Sequence, residues 1–202
     1  MSAQTDDSTV PSIKYFDELF NAVSSNSIAA LHALILRLNL NSPKPEFVYN
    51  LLNRAHPRKG STVLQFAVKV YPKTSLRIIE ELLIYGAGTE LPPDDTETPF
   101  TPLWIAVEMK HPLELVRLLL SFKSDIFFRS AFSHDEKDTL HKDGTGYSLL
   151  HLAVKVGADE EILKELIEAS SNILLNDQCN NLEETPLSKL LFYVYYSCTN
   201  YF

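Results

Sequence analysis

The chain has 202 residues, 45% of them apolar and 22% charged, with a formal charge of −8. Those proportions are ordinary for a soluble globular chain and argue against disorder as the dominant state. The acidic balance speaks against non-specific binding to nucleic acid or an anionic membrane, because both need a basic face, although an acidic protein can still dock a basic partner.

The first twelve residues, MSAQTDDSTVPS, are polar and acidic, unlike a targeting segment, and residues 1–12 are expected to form a disordered tail. The next stretch, YFDELFNAV at 15–23, carries Leu19 and Ala22 and leads into SIAALHALILRL, where Ile28, Leu31, Leu34, Ile35 and Leu38 share one helical stripe. PEFVYNLLNRAH comes after it, bounded by Pro45 and Pro57, with Phe47, Val48, Leu51 and Leu52 on one face. That spacing predicts an extra helix within 42–59.

STVLQFAVKV at 61–70 comes next, then SLRIIEELLIYG with Leu76, Ile79, Leu82 and Leu83 in register and Gly86 where a left-handed cap belongs. The proline-rich LPPDDTETP (91–99) reads as a loop. FTPLWIAVEM at 100–109 precedes HPLELVRLLLSF, whose stripe is Leu115, Leu118 and Leu119, with Pro112 preset for a first helical turn. FFRSAFSHDEKDTLHKDG (127–144) reads as a second, longer loop. GYSLLHLAVKV at 146–156 is followed by ADEEILKELIEA, where Ile162, Leu163, Leu166 and Ile167 form the stripe behind Asp159 as N-cap. The chain closes on TPLSKL (185–190) and SKLLFYVYYSCTNYF, apolar on almost every side of a helix.

Three of these stretches say nearly the same thing. Aligned on Ala67, Ala106 and Ala153, each has a hydroxyl residue five places earlier (Thr62, Thr101, Ser148) and a leucine three places earlier (Leu64, Leu103, Leu150). A weaker copy puts Leu190 in the alanine slot, and another opens the chain with Leu19 and Ala22. Each full copy is followed by a second apolar helix. The unit is a short helix, a tight turn and a longer helix.

This unit resembles the ankyrin repeats, whose hallmark is T-P-L-H-x-A in about 33 residues. TPLWIA at 101–106 and SLLHLA at 148–153 carry the resemblance best, and GAGTE at 86–90 is similar to the turn that closes a unit. The resemblance implies an all-α, ankyrin-type solenoid of four to five helix-turn-helix repeats joined by long loops. Its approximate repeats are 13–41, 60–91, 98–127, 143–176 and a partial 180–202, in one domain over 13–202, with 42–59 a helical insertion and 127–143 a loop insertion. The alanines stand 39 and 47 residues apart, and Leu190 follows Ala153 by 37. Against the family period the excess falls into loops, since a stacked helix cannot lengthen without breaking neighbour contacts.

The motif's hydroxyl and histidine can hydrogen-bond each other, a pairing that the types present offer only to Ser148 and His151, because Gln65, Trp104 and Ser188 hold the histidine slot elsewhere. Trp104 is read as a core or half-buried ring rather than a ligand-stacking one.

The resemblance further implies a protein-binding surface at the loop tips and on the exposed side of each first helix. The tip residues are Ser61, Phe100, Tyr147 and Glu184, and the exposed helix positions are Lys69 with Val70, Glu108 with Met109, and Lys155 with Val156. Phe100, Met109 and Tyr147 are candidate hot spots, unless the insertions fold back over them. The lysines flanking Glu108 suggest a mixed-charge groove.

Chemistry is sparse. His134, Asp135, Glu136 and His141 form the most catalytic-looking cluster, but their spacing matches no established metal site, and the stretch reads as a solvated loop. No phosphate-binding loop, nucleophile elbow or dinucleotide fingerprint is present. Cys179 and Cys198 are read as reduced packing residues of an intracellular protein, cytoplasmic or nuclear. No apolar run approaches the roughly 18 residues of a membrane span.

The expectation is a non-catalytic binding module for another protein, with no cofactor, metal, nucleic acid or membrane insertion. Two alternatives accompany it. The apolar end, 187–202, is read either as continuing past Phe202 or as covered by a partner or a second copy, which would make the chain a self-associating assembly component. The chain could also be the regulatory N-terminal domain of a larger enzyme or channel.

Overall fold

The fold is that of a computed structural model, in which residues 11–41, 46–92, 99–129, 146–176, 185–189 and 191 are described. Most of 187–202, the tail at 1–10, the His134–His141 cluster, Glu184 and both cysteines lie outside those residues. Among the described residues all regular structure is helical, with one isolated antiparallel bridge between Arg129 and Ser148.

The chain divides into two compact units, Met1–Thr98 and Pro99–Phe202. In the first, helices α1 (Ile13–Ser24) and α2 (Ile28–Asn41) form one hairpin, and α4 (Val63–Lys69) and α5 (Leu76–Ile84) form another. First helix packs on first helix, α1 on α4, and second on second, α2 on α5. Helix α3 (Glu46–Asn53) is wedged against α2 and α4. The second unit repeats the scheme. Helices α6 (Pro102–Glu108) and α7 (Leu113–Ser121) pair, α8 (Leu149–Val156) and α9 (Glu160–Ala169) pair, α6 packs on α8 and α7 on α9. A 3₁₀ turn, Ile173–Asn176, follows α9 and packs against it.

Ala67, Ala106 and Ala153 are each 0% exposed, on the short helices that pack against a neighbouring first helix. A methyl group fills the slot and nothing longer is accommodated without moving a backbone. The longer helices bury a stripe that is rotated from the sequence pattern in α5 and α7 and narrower than it in α9. In α5 Ile78 is buried with Ile79, Leu82 and Leu83 while Leu76 is half-exposed; in α7 Val116 replaces Leu118; in α9 Ile162 and Leu166 are buried and Leu163 and Ile167 only partly. These helices span 9 or 10 residues, and two to four side chains form the buried face of each.

The helix starts agree with the sequence expectation and extend it. The hydroxyl–histidine pairing is present at Ser148 and His151, whose Nδ1 accepts from the Ser148 backbone N–H at 3.3 Å and lies 2.8 Å from its Oγ. Other side chains in the histidine slot close an equivalent pair. At the head of α4 the Gln65 Oε1 accepts from the Thr62 N–H at 2.7 Å while Thr62 Oγ1 accepts from the Gln65 N–H at 3.2 Å, a complete capping box. Thr185 and Ser188 close the same reciprocal pair, at 3.0 and 3.1 Å. A glutamine carbonyl or serine hydroxyl is as good an acceptor as an imidazole nitrogen. Trp104 has no acceptor, and α6 keeps only the bond from the Trp104 N–H to Thr101 Oγ1, at 3.2 Å.

Helix ends are equally regular. Gly86 (φ +92°) and Gly157 (φ +64°) take the left-handed conformation after α5 and α8, with Ala87 and Ala158 N–H groups returning to Leu82 and Ala153 carbonyls at 2.9 Å. Lys110 (φ +54°) does the same after α6, where the His111 N–H reaches Ala106 O at 2.9 Å.

Gln65 is buried, so Gln65→Leu removes the acceptor of an already desolvated N–H and should cost about 1–3 kcal/mol, whereas Gln65→His should restore most of it. Urea titrations followed by far-ultraviolet circular dichroism check this; equal stability of all three chains would contradict it.

Candidate functional site

The residues just ahead of each capping hydroxyl are structural. Tyr147 is 6% exposed and stacks on His151, ring centroids 5.6 Å apart and 13° from coplanar. Lys189 Nζ donates to its hydroxyl at 2.7 Å, and Lys155 and Lys189 ammonium groups lie 5.0 and 4.1 Å from its ring centroid. Phe100, half-buried, stacks on Trp104 at 5.6 Å and 8°; Trp104 is buried and meets Phe128 edge-on at 5.5 Å. In both cases a ring four residues ahead covers the side chain in the histidine slot. Ser61 is buried too, its carbonyl accepting from the His56 N–H at 2.9 Å. Ser61 and Tyr147 therefore present little side chain at the surface, contrary to their expected place at exposed tips. The burial has a simple cause: at i and i+4 across the first turn, two flat groups stack and shed water together.

The surface lies at the other end of the short helices. Lys69 and Val70 end α4, Glu108 and Met109 end α6, and Lys155 and Val156 end α8. Lys69, Glu108, Met109 and Lys155 are exposed, and Val70 and Val156 half-exposed. Met109 is 45% exposed, a large apolar side chain held out between charges. In the second unit these ends are neighbours, since a Cβ on Gly157, just past α8, would lie 3.9 Å from the Lys110 Nζ that follows α6. Phe127, 49% exposed beside the start of the 130–145 insertion, is a further apolar surface residue that the motif spacing does not mark. Its signal in the sequence is an apolar type in a polar loop.

In the first unit, α3 sets the surface. Its Asn53 side chain donates to Gly86 O at 3.0 Å and accepts from the Gly88 N–H at 2.5 Å, clamping the turn after α5. Beyond α3, buried His56 holds Asp17 of α1 through Nε2 at 3.0 Å and accepts from the Arg58 N–H through Nδ1 at 3.1 Å. These bonds fix the loop that presents Arg58 and Lys59. Lys59 Nζ sits 4.7 Å from the Phe20 ring centroid and 5.0 Å from that of Phe66.

Two grooves lie on the described surface. One, of about 580 Å³, runs between α1 and α2 along Ala22, Ala30, Ala33 and Leu34, with Glu18 and Arg37 paired at its rim. The other, about 240 Å³, lies between α7 and α9, where Arg117 Nε donates to Glu165 at 2.7 Å. That bond, helped by the charges of Glu165, Glu161 and Glu114, raises the Arg117 pKa above its ordinary value. Neither lining pairs a nucleophile with a base. Among the described residues no group of three or more His, Cys, Asp or Glu could hold a metal ion, and no helix is long and apolar enough to cross a membrane.

The ankyrin repeat family matches the chain twice, at residues 100–131 and 145–178, about a third of its length. These stretches, α6–α7 and α8–α9, are similar to ankyrin repeats, and the all-helical fold of stacked hairpins among the described residues is consistent with that class. Ankyrin repeats are generally protein–protein interaction modules and generally non-catalytic. No curated protein matches the chain.

The α3 clamp can be tested as a coupled pair. A methyl on Gly88 would sit 2.6 Å from Asn53 Oδ1, so Gly88→Ala should expel the amide. Gly88→Ala and Asn53→Ala should each cost about 1–2 kcal/mol, and the double variant no more than the larger single one. Additive losses in a urea double-mutant cycle would mean that the two do not share the clamp.

Proposed function

We propose that the chain is a non-catalytic protein–protein interaction module that holds a segment of a partner protein against the exposed ends of its first helices and the adjoining loops. It works inside the cell, in cytoplasm or nucleus, and needs no cofactor. The observation that carries the reading is positional. Lys69 with Val70, Glu108 with Met109 and Lys155 with Val156 stand at matched places on three short helices, outside the core, while the residues before each capping hydroxyl are drawn into it. Within the second unit the ends of the packed helices α6 and α8 offer neighbouring variable side chains, which suits recognition of an extended or helical segment, and the end of α4 offers the corresponding residues in the first. Phe100 and Tyr147 cover Trp104 and His151 at the opposite ends of α6 and α8.

The test separates contact from support. Panning a random peptide library against the immobilised full chain should enrich a defined sequence set. Met109→Asp with Val156→Asp should abolish that enrichment and leave thermal unfolding within a few degrees, because both side chains are at least partly exposed. Tyr147→Ala should instead lower stability. Enrichment of the same set by the double variant, or no enrichment by the natural chain, would overturn the reading.

A further inference from the structure

The net charge of −8 conceals a basic stretch. Between Glu46 and Glu80 stand six cations, Arg54, Arg58, Lys59, Lys69, Lys73 and Arg77, and no acidic residue. All but Arg54 are exposed. None of those five shares an ion pair with a described residue, whereas three cations elsewhere are each matched by a carboxylate of the chain: Arg37 by Glu18, Arg117 by Glu165, Lys164 by Glu168.

The fold gathers part of this stretch on one edge of the first unit. Lys59 lies over the rings of Phe20 and Phe66, themselves 4.9 Å apart. Phe66 is one helical turn before Lys69 on α4, Val70 caps that helix, and the Lys73 N–H returns to Val70 O at 3.0 Å. The edge therefore runs Lys59, Phe66, Lys69, Val70, Lys73, with Phe66 and Val70 half-buried and the three lysines exposed. Asp17, at its border, is engaged by His56.

We propose that this edge docks an acidic segment of the partner protein, carboxylates meeting Lys59, Lys69 and Lys73 and an apolar side chain resting on Phe66 and Val70. The inference rests on the interaction-module reading and names the chemistry of its partner. Clustered like charges without counterparts repel one another, and a carboxylate-bearing segment relieves that repulsion on binding. Lys59 is held in place by two rings, so it loses little freedom when it pairs. Nucleic acid fits less well. A polyanion with one charge per about 1.7 Å would extend beyond this edge over an otherwise acidic chain, while a short acidic segment need not.

The experiment uses the full chain and three fluorescein-labelled peptides of about twelve residues, built of Glu-Glu-Leu, Gln-Gln-Leu or Lys-Lys-Leu repeats, with fluorescence anisotropy as readout. The glutamate peptide should bind most tightly and weaken at least about tenfold between roughly 0.05 and 0.5 M salt. Lys59→Glu with Lys69→Glu and Lys73→Glu should weaken it by at least about tenfold, and the milder Lys→Gln triple by about threefold or more. The charge-matched Lys14→Glu, Lys123→Glu, Lys164→Glu chain should bind as the natural one does. Equal binding of the three peptides, an unchanged Kd in both Lys59–Lys69–Lys73 triples, or tighter binding of a single-stranded oligonucleotide of equal charge would overturn the proposal. If it falls while library-selected peptides still bind through Met109, the module reading stands without the acidic partner; if nothing binds at all, both fall.

Discussion

The fold depends on how closely two short helices can lie side by side. At Ala67, Ala106 and Ala153 the only side-chain atom is a methyl group, fully buried. Close approach there brings the second helices into line behind the first, α2 on α5 and α7 on α9, and each then needs only a short buried face. Because the slot tolerates no extra volume, surplus chain cannot enter the short helices. It falls between hairpins instead, as α3 in the first unit and between Arg129 and Ser148, joined by a single antiparallel bridge, in the second.

The same economy assigns the side chains at the two ends of each short helix to different work. At its start the capping hydroxyl, the side chain three residues on (an acceptor in α4 and α8) and, in α6 and α8, a ring stacked across the turn form one desolvated cluster. The capping groups satisfy backbone N–H donors that have no partner within the helix, and their identity is constrained by that duty. At the ends of α6 and α8 a left-handed residue reverses the chain, and the side chains just before it are exposed or half-exposed. The proposed contacts accordingly lie at Met109, Val156 and the exposed lysines rather than at Phe100 and Tyr147. In the first unit the inserted α3 shapes a further part of the surface, because Asn53 clamps the turn after α5 and His56 fixes the loop that carries Arg58 and Lys59.

Much of this was legible in the residues. The alanine register, the capping hydroxyls, Gly86 as a helix terminator, and the apolar face of α3 at Val48, Leu51 and Leu52 all follow from local chemistry. The illegible remainder depends on partners that sequence spacing does not display. Whether Tyr147 points to water is decided by Lys155, His151 and Lys189 together, the last 42 residues away. That Gln65 can replace the motif histidine is a matter of acceptor geometry, invisible to a consensus that names only the residue. The rotation of the buried row in α5 and α7 reflects which neighbour each helix meets. The basic edge is hidden because a net charge averages over it.

The close approach of short helices is most directly tested in the second unit, where Trp104, the chain's one tryptophan, is buried on α6 and reports its unfolding by fluorescence. In urea titrations, Ala106→Leu and Ala153→Leu should each destabilise that transition by about 1–3 kcal/mol, while Ala29→Leu, exposed on α2, should not. Ala106→Leu and Ala153→Leu chains as stable as the natural one would contradict the account, because the helices would then have room that a methyl-sized slot does not provide.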